Sequence, residues 1–308
     1  MTATAWWGAI LGVGVAVTVG AYVVAVADRA IATVVAGEPV RWSVLAGPTR
    51  SVALGLVQGG TTTERPDGPA WALAPALYLG LAAAALAVVP LSETLVAAPI
   101  EGGIVLFGAA QALAVIPVFL NGWSSNSILP LIGAYRFIAQ ALSYEMPNLL
   151  ALLSVSVPAS SLALGDIVAS QQGLWNVVRI PLGLPLFIFA AAGLAFWGPV
   201  NFPDGADLAG GTQAETSGVH LLAWRAGRAA MLVATAAMGA AAFLGGWLGP
   251  GLPGWAWMVA KTLVLLVLLV ASRHLVGRMR LERYVVISWV VLIPLALLNV
   301  LIAAAVAL

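Results

Sequence analysis

Long apolar segments recur along most of the chain, and their length constrains the fold more than any other feature of the sequence. A helix needs about 20 mostly apolar residues to cross the hydrocarbon core of a bilayer. Segments near this length occupy 5–27, 70–91, 101–120, 130–164, 178–197, 219–248, 255–273 and 284–307. Because lipid offers no hydrogen-bond partners, a single segment spans it only as a helix. The sequence therefore predicts an all-α integral membrane protein with about eight transmembrane helices.

The composition agrees with this fold class. Of the 308 residues, 62% are hydrophobic and 8% are charged, whereas about 25% are charged in soluble domains. A net charge of +1 without a basic run predicts no nucleic-acid partner. We expect one polytopic membrane domain over 1–308, surrounded by the lipid bilayer.

Two of the eight segments depart from a simple crossing. The fourth, 130–164, is too long for one crossing, and it contains Pro147 and Pro158. These prolines predict a kinked or tilted helix, or a first part that lies along or dips into the membrane. In the first segment, Ala25-Val26-Ala27 resembles a signal-peptidase site. Because no Lys or Arg precedes the apolar run, which is also too long for a signal peptide, we expect a retained first helix.

The arginines cluster in alternate loops. One group follows the first segment and another lies between the seventh and eighth, and together they are Arg29, Arg41, Arg50, Arg65, Arg273, Arg278, Arg280 and Arg283. By the positive-inside rule, the elaborated cytoplasmic loops are about 28–69, 121–129, 198–218 and 273–283, and both termini lie outside. The group at 273–283 marks the topology or anchors an acidic partner. We expect soluble partners on this face, and a composition typical of high-GC genomes indicates a bacterial cell membrane.

Redox ligands are scarce in this sequence. The chain has no cysteine and two histidines, His220 and His274. It therefore cannot hold a Cys-ligated iron–sulfur cluster, and it is poor in zinc ligands. Two isolated histidines are weak evidence for a haem. We expect this chain alone to bind no cofactor, and electrons to be carried by another subunit.

The segment 121–147 places polar side chains among apolar ones. An ionisable group at membrane depth costs at least ~2.5 kcal/mol, so it usually has a function. On a helix Arg136, Gln140 and Ser143 share one face, whereas Glu145 is about half a turn out of phase with Arg136. A simple Arg136–Glu145 salt bridge is therefore not expected. Glu145 is either a protonatable group in a buried polar path or an anchor at headgroup level.

Other charged residues have equally open interpretations. In the fifth loop Asp207 and Glu215 belong to a proton route, a docking surface or an ordinary solvated loop. Arg225 and Arg228 near the start of the sixth segment are expected by default to extend to the headgroups. Lys261 in the seventh segment needs a partner or a water-filled cavity if it is deep.

Several short motifs follow one another in a fixed order between about 28 and 299. They read Gly47-Pro48-Thr49-Arg50, Gly122-Trp123-Ser124-Ser125-Asn126, Gly133-Ala134-Tyr135-Arg136, Ser143-Tyr144-Glu145, Asp207-Leu208-Ala209-Gly210, Glu215-Thr216-Ser217-Gly218, Phe243-Leu244-Gly245-Gly246-Trp247 and Arg278-Met279-Arg280-Leu281-Glu282. In this order and spacing they resemble the H subunit of bacterial NADH:quinone oxidoreductase, the complex I membrane subunit at the quinone site. The resemblance covers most of the chain.

The resemblance implies a fold and a role. Members of the family have eight spans with outward termini and form the mouth of a quinone chamber with soluble iron–sulfur and quinone-site subunits. Other membrane-arm subunits complete the proton-translocating respiratory enzyme, to which this subunit contributes no redox chemistry of its own. By resemblance the quinone-chamber and coupling residues are Arg50, Arg136, Tyr144, Glu145, Asp207 and Glu215. The docking residues near the quinone are Arg273, Arg278 and Arg280.

The chain also departs from that family. A family carboxylate is lost at 195–199, and Arg228 stands where the family has a glutamate. A divergent paralogue, with a rewired proton path or a different partner complex, is therefore expected. The alternatives are the equivalent subunit of a membrane-bound hydrogenase or formate-oxidising complex, and a stand-alone transporter lined by Arg136, Glu145 and Lys261.

Overall fold

The structure is a computed structural model that describes residues 3–62 and 64–307, and these residues form helices joined by turns. The helices are α1 (Ala3–Val35), α2 (Trp42–Val57), α3 (Gly68–Ala87), α4 (Gly103–Leu113), α5 (Val115–Trp123), α6 (Ile128–Ala159), α7 (Leu164–Ala169), α8 (Asn176–Arg179), α9 (Gly183–Leu194), α10 (Gly218–Phe243), α11 (Gly254–Leu275), α12 (Leu281–Ile287) and α13 (Ile293–Ala307). A π-helical turn, Ser288–Leu292, joins α12 to α13. The all-α prediction is confirmed for the described residues.

Six helical stretches of the described chain are long and apolar enough to cross a membrane. They are α1, α3, α4 with α5, α10, α11, and α12 with α13. The other two predicted segments fall on α6, which carries several polar groups, and on α9, which has 12 residues. The protein is thus a multi-pass membrane protein, whereas the count of eight crossings stays a prediction.

Helix α10 is the centre of the bundle. It contacts α1, α2, α3, α9 and α11, and its residues are buried almost all round. Its sequence is rich in Ala and Gly, which lets neighbours approach closely where lipid gives no hydrophobic drive for helix association. Gly227 faces Tyr78 of α3, and Gly239 faces Phe187 of α9. Small residues therefore place α10 against both neighbours.

Helix α6 is longer than a simple membrane crossing requires. Its 32 residues run without a break through Pro147 and end at Ser160, which has a left-handed φ of 50°. At 1.5 Å per residue its length is about 48 Å, well beyond a hydrocarbon core of about 30 Å. The helix therefore extends past the membrane at one end or lies tilted, and a kink at Pro147 stays a prediction.

The four polar loops predicted for one face do meet at one end of the bundle, which we call the loop end. Part of 28–69 is helical, since α1 continues to Val35 and α2 follows. Hydrogen bonds join the loops pairwise: Thr61 N to Ser217 Oγ (2.7 Å), Asp67 N to Ser124 O (2.8 Å), Ser127 Oγ to Glu215 Oε1 (3.1 Å) and Met279 N to Pro199 O (3.0 Å). Whether this end faces the cytoplasm stays a prediction.

Candidate functional site: a charged pocket at the loop end

A pocket of about 500 Å³ opens at the loop end. Its walls come from α6, from the loop that joins α9 to α10 (195–217, the α9–α10 loop) and from the start of α12. The lining residues are Arg136, Pro199, Asn201, Phe202, Gly205, Asp207, Arg278, Met279, Arg280, Leu281 and Glu282. We call this cavity the loop-end pocket. It combines guanidinium and carboxylate groups with apolar side chains.

An ion pair forms one wall of the loop-end pocket. Arg136 Nη1 lies 2.6 Å from Asp207 Oδ2, and the two side chains are 30% and 59% exposed. Because exposed ion pairs contribute only about 0–1 kcal/mol, this pair adds little to stability. Its guanidinium and carboxylate remain available to a ligand. The structure therefore brings together Arg136, Asp207, Arg278 and Arg280, four predicted site residues from three distant parts of the chain.

A close approach of backbone to helix places Asp207 beside Arg136. Gly133 lies one turn before Arg136, and a Cβ atom added there would come within 2.5 Å of the Pro203 carbonyl oxygen and 2.9 Å of the Thr212 nitrogen. Only glycine leaves room for the α9–α10 loop to lie this close to α6. On the far side, Asn121 Nδ2 donates to the Thr212 carbonyl oxygen at 2.8 Å. The loop is thus held between α5 and α6.

Beneath the pocket lies a buried charge pair that the sequence did not predict. Arg228 Nη1 of α10 is 2.5 Å from Asp204 Oδ2. Arg228 is 8% exposed, so the expectation that it extends to the headgroups is wrong; α10 is packed on all sides there and its guanidinium finds Asp204 instead. Arg225, by contrast, is exposed and donates to Gln213 Oε1 at 3.0 Å. The one sequence signal for Asp204 was its place in an acidic loop.

Tyr144 and Glu145 do not line the loop-end pocket. Tyr144 is 1% exposed, and its hydroxyl has no hydrogen-bond partner among the described residues. Glu145 is partly buried and has no ion-pair or hydrogen-bond partner within 3–62 and 64–307. One turn earlier, Gln140 Nε2 donates to the carbonyl oxygens of Gly193 (2.6 Å) and Val200 (2.8 Å). Polar groups thus continue along α6 from the pocket into the protein interior.

The remaining predicted site residues lie elsewhere at the loop end. Arg50 is exposed on α2, and Glu215 accepts a hydrogen bond from Ser127. Arg273 Nη1 is 3.0 Å from Asp28 Oδ2, and His274 Nε2 is 2.8 Å from Asp28 Oδ1. Asp28, which sequence reasoning missed, therefore ties the end of α1 to the end of α11.

Lys261 lies at the opposite end of the bundle and has partners there. Its Nζ donates to the carbonyl oxygens of Gly246 (2.9 Å) and Leu248 (2.6 Å), and it lies 4.1 Å from the centre of the Trp175 ring. The side chain is 6% exposed. Lys261 thus closes the turn between α10 and α11.

We expect Lys261→Met to destabilise the protein without changing its activity. The substitution removes two hydrogen bonds from a charged donor, each worth about 1.5–3 kcal/mol, and leaves two carbonyl groups without partners. The thermal midpoint in detergent should fall by several degrees, while activity per assembled protein stays the same. Val264→Met, at a position 66% exposed on the same helix, is the control and should change neither. Loss of a transported solute at unchanged stability would instead favour a transport pathway through Lys261.

The described fold and the loop-end pocket define a class: a multi-pass helical membrane subunit with a charged pocket where its polar loops meet. The sequence model of the family described as NADH dehydrogenase matches residues 51–304. The chain therefore belongs to the NADH dehydrogenase family, in the branch formed by the H subunits of NADH-quinone oxidoreductase.

Two relatives document this membership. The first of two H subunits of the NADH-quinone oxidoreductase of Geobacter metallireducens, the one numbered 1, is 33% identical over 277 residues, which cover 83% of this chain and 84% of the relative. The H subunit of the NADH-quinone oxidoreductase of Pelagibacter ubique is 34% identical over 233 residues, which cover 73% and 70%. The family resemblance expected from the motifs is confirmed.

Proposed function

We propose that this chain is a membrane-arm subunit of a complex I-like NADH:quinone oxidoreductase and that the loop-end pocket is its share of the quinone chamber. The observation that carries the proposal is the meeting of Arg136, Asp207, Arg278 and Arg280 around one cavity. Its volume of about 500 Å³ lies in the range of small-molecule sites, about 300–1,000 Å³. Family membership supports the assignment to quinone.

The chemistry of the lining suits a quinone headgroup. Phe202, Met279 and Leu281 offer apolar surface to a ring, while the arginines offer N–H donors to its carbonyl oxygens. Quinone is the substrate, and this chain supplies binding and orientation without redox chemistry of its own. The wall formed by Arg136 and Asp207 gives the pocket a donor and an acceptor side by side.

The proposed setting is a bacterial cell membrane, crossed eight times with both termini outside. The loop end would then face the cytoplasm, in agreement with the arginines in its loops. Soluble iron–sulfur and quinone-site subunits dock there, with Arg273, Arg278 and Arg280 exposed for contact. Other membrane-arm subunits cover part of the lipid-facing surface.

The proton-coupling route begins, in this proposal, near the pocket and continues along α6. Asp207 lines the pocket, and Glu215 lies at the loop end on the side of Ser127. Tyr144 and Glu145 lie further along α6, beyond Gln140. Glu145 is the carboxylate whose partly buried, unpaired state best fits proton transfer.

Purification in mild detergent through a tag on this chain tests the proposal. We expect iron–sulfur subunits to co-purify and the preparation to reduce a short-chain quinone with NADH. Soluble partners that oxidise hydrogen or formate would replace NADH by another electron donor. Recovery of the chain as a lone oligomer that moves a solute would contradict the assignment and favour a transporter.

A further inference from the structure

The buried pair of Asp204 and Arg228 is costly and needs a reason. Their side chains are 3% and 9% exposed. Taking two charges out of water costs several kcal/mol per ion, and the attraction offsets this only if further hydrogen bonds satisfy both groups. A hydrophobic pair of similar volume often stabilises as well. Stability alone therefore does not account for the pair.

The hydrogen bonds around Asp204 are nearly complete. Its Oδ1 accepts from Thr212 Oγ1, and its Oδ2 accepts from Gln213 Nε2 (2.5 Å) and from Arg228. Arg228 in turn donates from Nη2 to the Phe196 carbonyl oxygen at 2.7 Å, and its guanidinium lies 4.2 Å from the centre of the Phe196 ring. The partners come from the beginning, middle and end of the α9–α10 loop. One charge pair therefore gathers the loop onto α10.

This arrangement lies directly behind the wall of the loop-end pocket. Asp204 is followed by Gly205, where an added Cβ would overlap Asp207 Oδ1 and lie 3.4 Å from Arg136 Nη1. The backbone held by Asp204 is thus the backbone from which Asp207 reaches Arg136. A shift at Asp204 moves Asp207 and reshapes the pocket.

The chemistry of arginine separates two roles that this position could have. A guanidinium is not deprotonated in proteins, so Arg228 cannot pass on a proton as a glutamate at this place could. A fixed charge holds a geometry, and the fork of donors suits contact with two partners at once. Here the two partners are Asp204 and Phe196.

We propose that Asp204 and Arg228 are positioning residues that set the shape of the loop-end pocket, and thereby quinone affinity, and that they lie outside the proton route. This inference rests on the proposed function, because quinone binding is its readout. It assigns a role to a charge reversal that otherwise marks a loss. The pair acts through Asp207 and Arg136 and touches no substrate itself.

The test uses the intact complex purified from membranes and reconstituted in vesicles, with a short-chain quinone as probe. Asp204→Asn and Arg228→Gln should each raise the quinone KM about tenfold, with kcat within twofold and protons translocated per electron unchanged. The double variant should cost less than the product of the two single effects, because both remove the same interaction. Arg228→Lys keeps the charge but only one of the two contacts, so it should recover part of the affinity.

Two further variants keep the test decisive. Thr212→Val removes one donor to Asp204 at nearly constant volume and should raise the KM about two- to threefold, even if the charge variants do not assemble. Arg179→Gln is the control, since Arg179 Nη2 bonds to Ser170 O away from the pocket, and it should leave KM and kcat unchanged.

Other results would overturn the inference. A fall in protons per electron at unchanged KM in Asp204→Asn would place the pair in the proton route. Equal losses of kcat and assembled protein without a KM change, in Thr212→Val as well, would reduce the pair to a folding element. The proposed function fails in a different way, because then the unmodified preparation itself lacks iron–sulfur subunits and quinone reductase activity.

Discussion

Replacing Gly133 with alanine is expected to lower NADH:quinone reductase activity at least tenfold, mainly through a higher quinone KM. The added methyl group would meet the Pro203 carbonyl oxygen and the Thr212 nitrogen, which are backbone atoms and cannot rotate away as a side chain would. Overpacking of this kind costs about 1–3 kcal/mol and forces the backbone to shift. The α9–α10 loop must then leave α6 and carry Asp207 away from Arg136. Steady-state kinetics of the purified complex measure the change.

Gly80→Ala is the matched control for this substitution. Gly80 is also in a helix, but an added Cβ there has no described heavy atom within 4 Å. Alanine favours a helix over glycine by about 1 kcal/mol, so the control should be fully active and no less stable. Full activity with an unchanged KM in Gly133→Ala would contradict the loop's contact with α6.

Glu145→Gln is expected to lower proton translocation per electron at least fivefold while electron transfer to quinone persists. The amide has almost the same shape as the carboxyl group but cannot release or accept a proton. Glu145 has no described ion pair to break, so the bundle should assemble normally. Acidification of reconstituted vesicles during quinone reduction, compared with the rate of NADH oxidation, measures this ratio.

Glu38→Gln provides the matched control, because Glu38 is exposed between α1 and α2. The same change of charge there should leave the ratio of protons to electrons unaltered. An unchanged ratio in Glu145→Gln would instead make Glu145 an anchor at headgroup level, the alternative left open by the sequence.

Secondary structure was predictable because it depends on local composition. Each of the eight apolar segments falls on a helix, since uninterrupted apolar runs leave the backbone no other way to satisfy its polar groups in lipid. The ends were less predictable. The sixth segment was expected to reach residue 248, but α10 ends at Phe243 because Gly245 and Gly246 take positive φ values of 72° and 47°. The third segment divides into α4 and α5 around Ala114.

The site was predictable only where family motifs supplied it. Those motifs pointed to Arg136, Asp207, Arg278 and Arg280, but not to the pairing of Arg136 with Asp207 across 71 residues of sequence, a difference of 207 and 136. The partnership of Asp204 with Arg228 was out of reach for the same reason. Charge type gives no information about distance until the helices are packed, and a loop carboxylate resembles any solvated carboxylate in sequence.

The burial of α10 has a consequence for the biogenesis of the protein. Among the six long apolar stretches, it has the lowest mean hydropathy, 1.4, and it carries Arg228. An arginine near the centre of a helix adds about 2.5–3.5 kcal/mol to the free energy of insertion by the translocon. Helix α10 is therefore a poor substrate for insertion alone, and its chief neighbour α3 is synthesised well before it. Insertion of α10 thus depends on the earlier helices, which already lie in the membrane and offer it a packing surface.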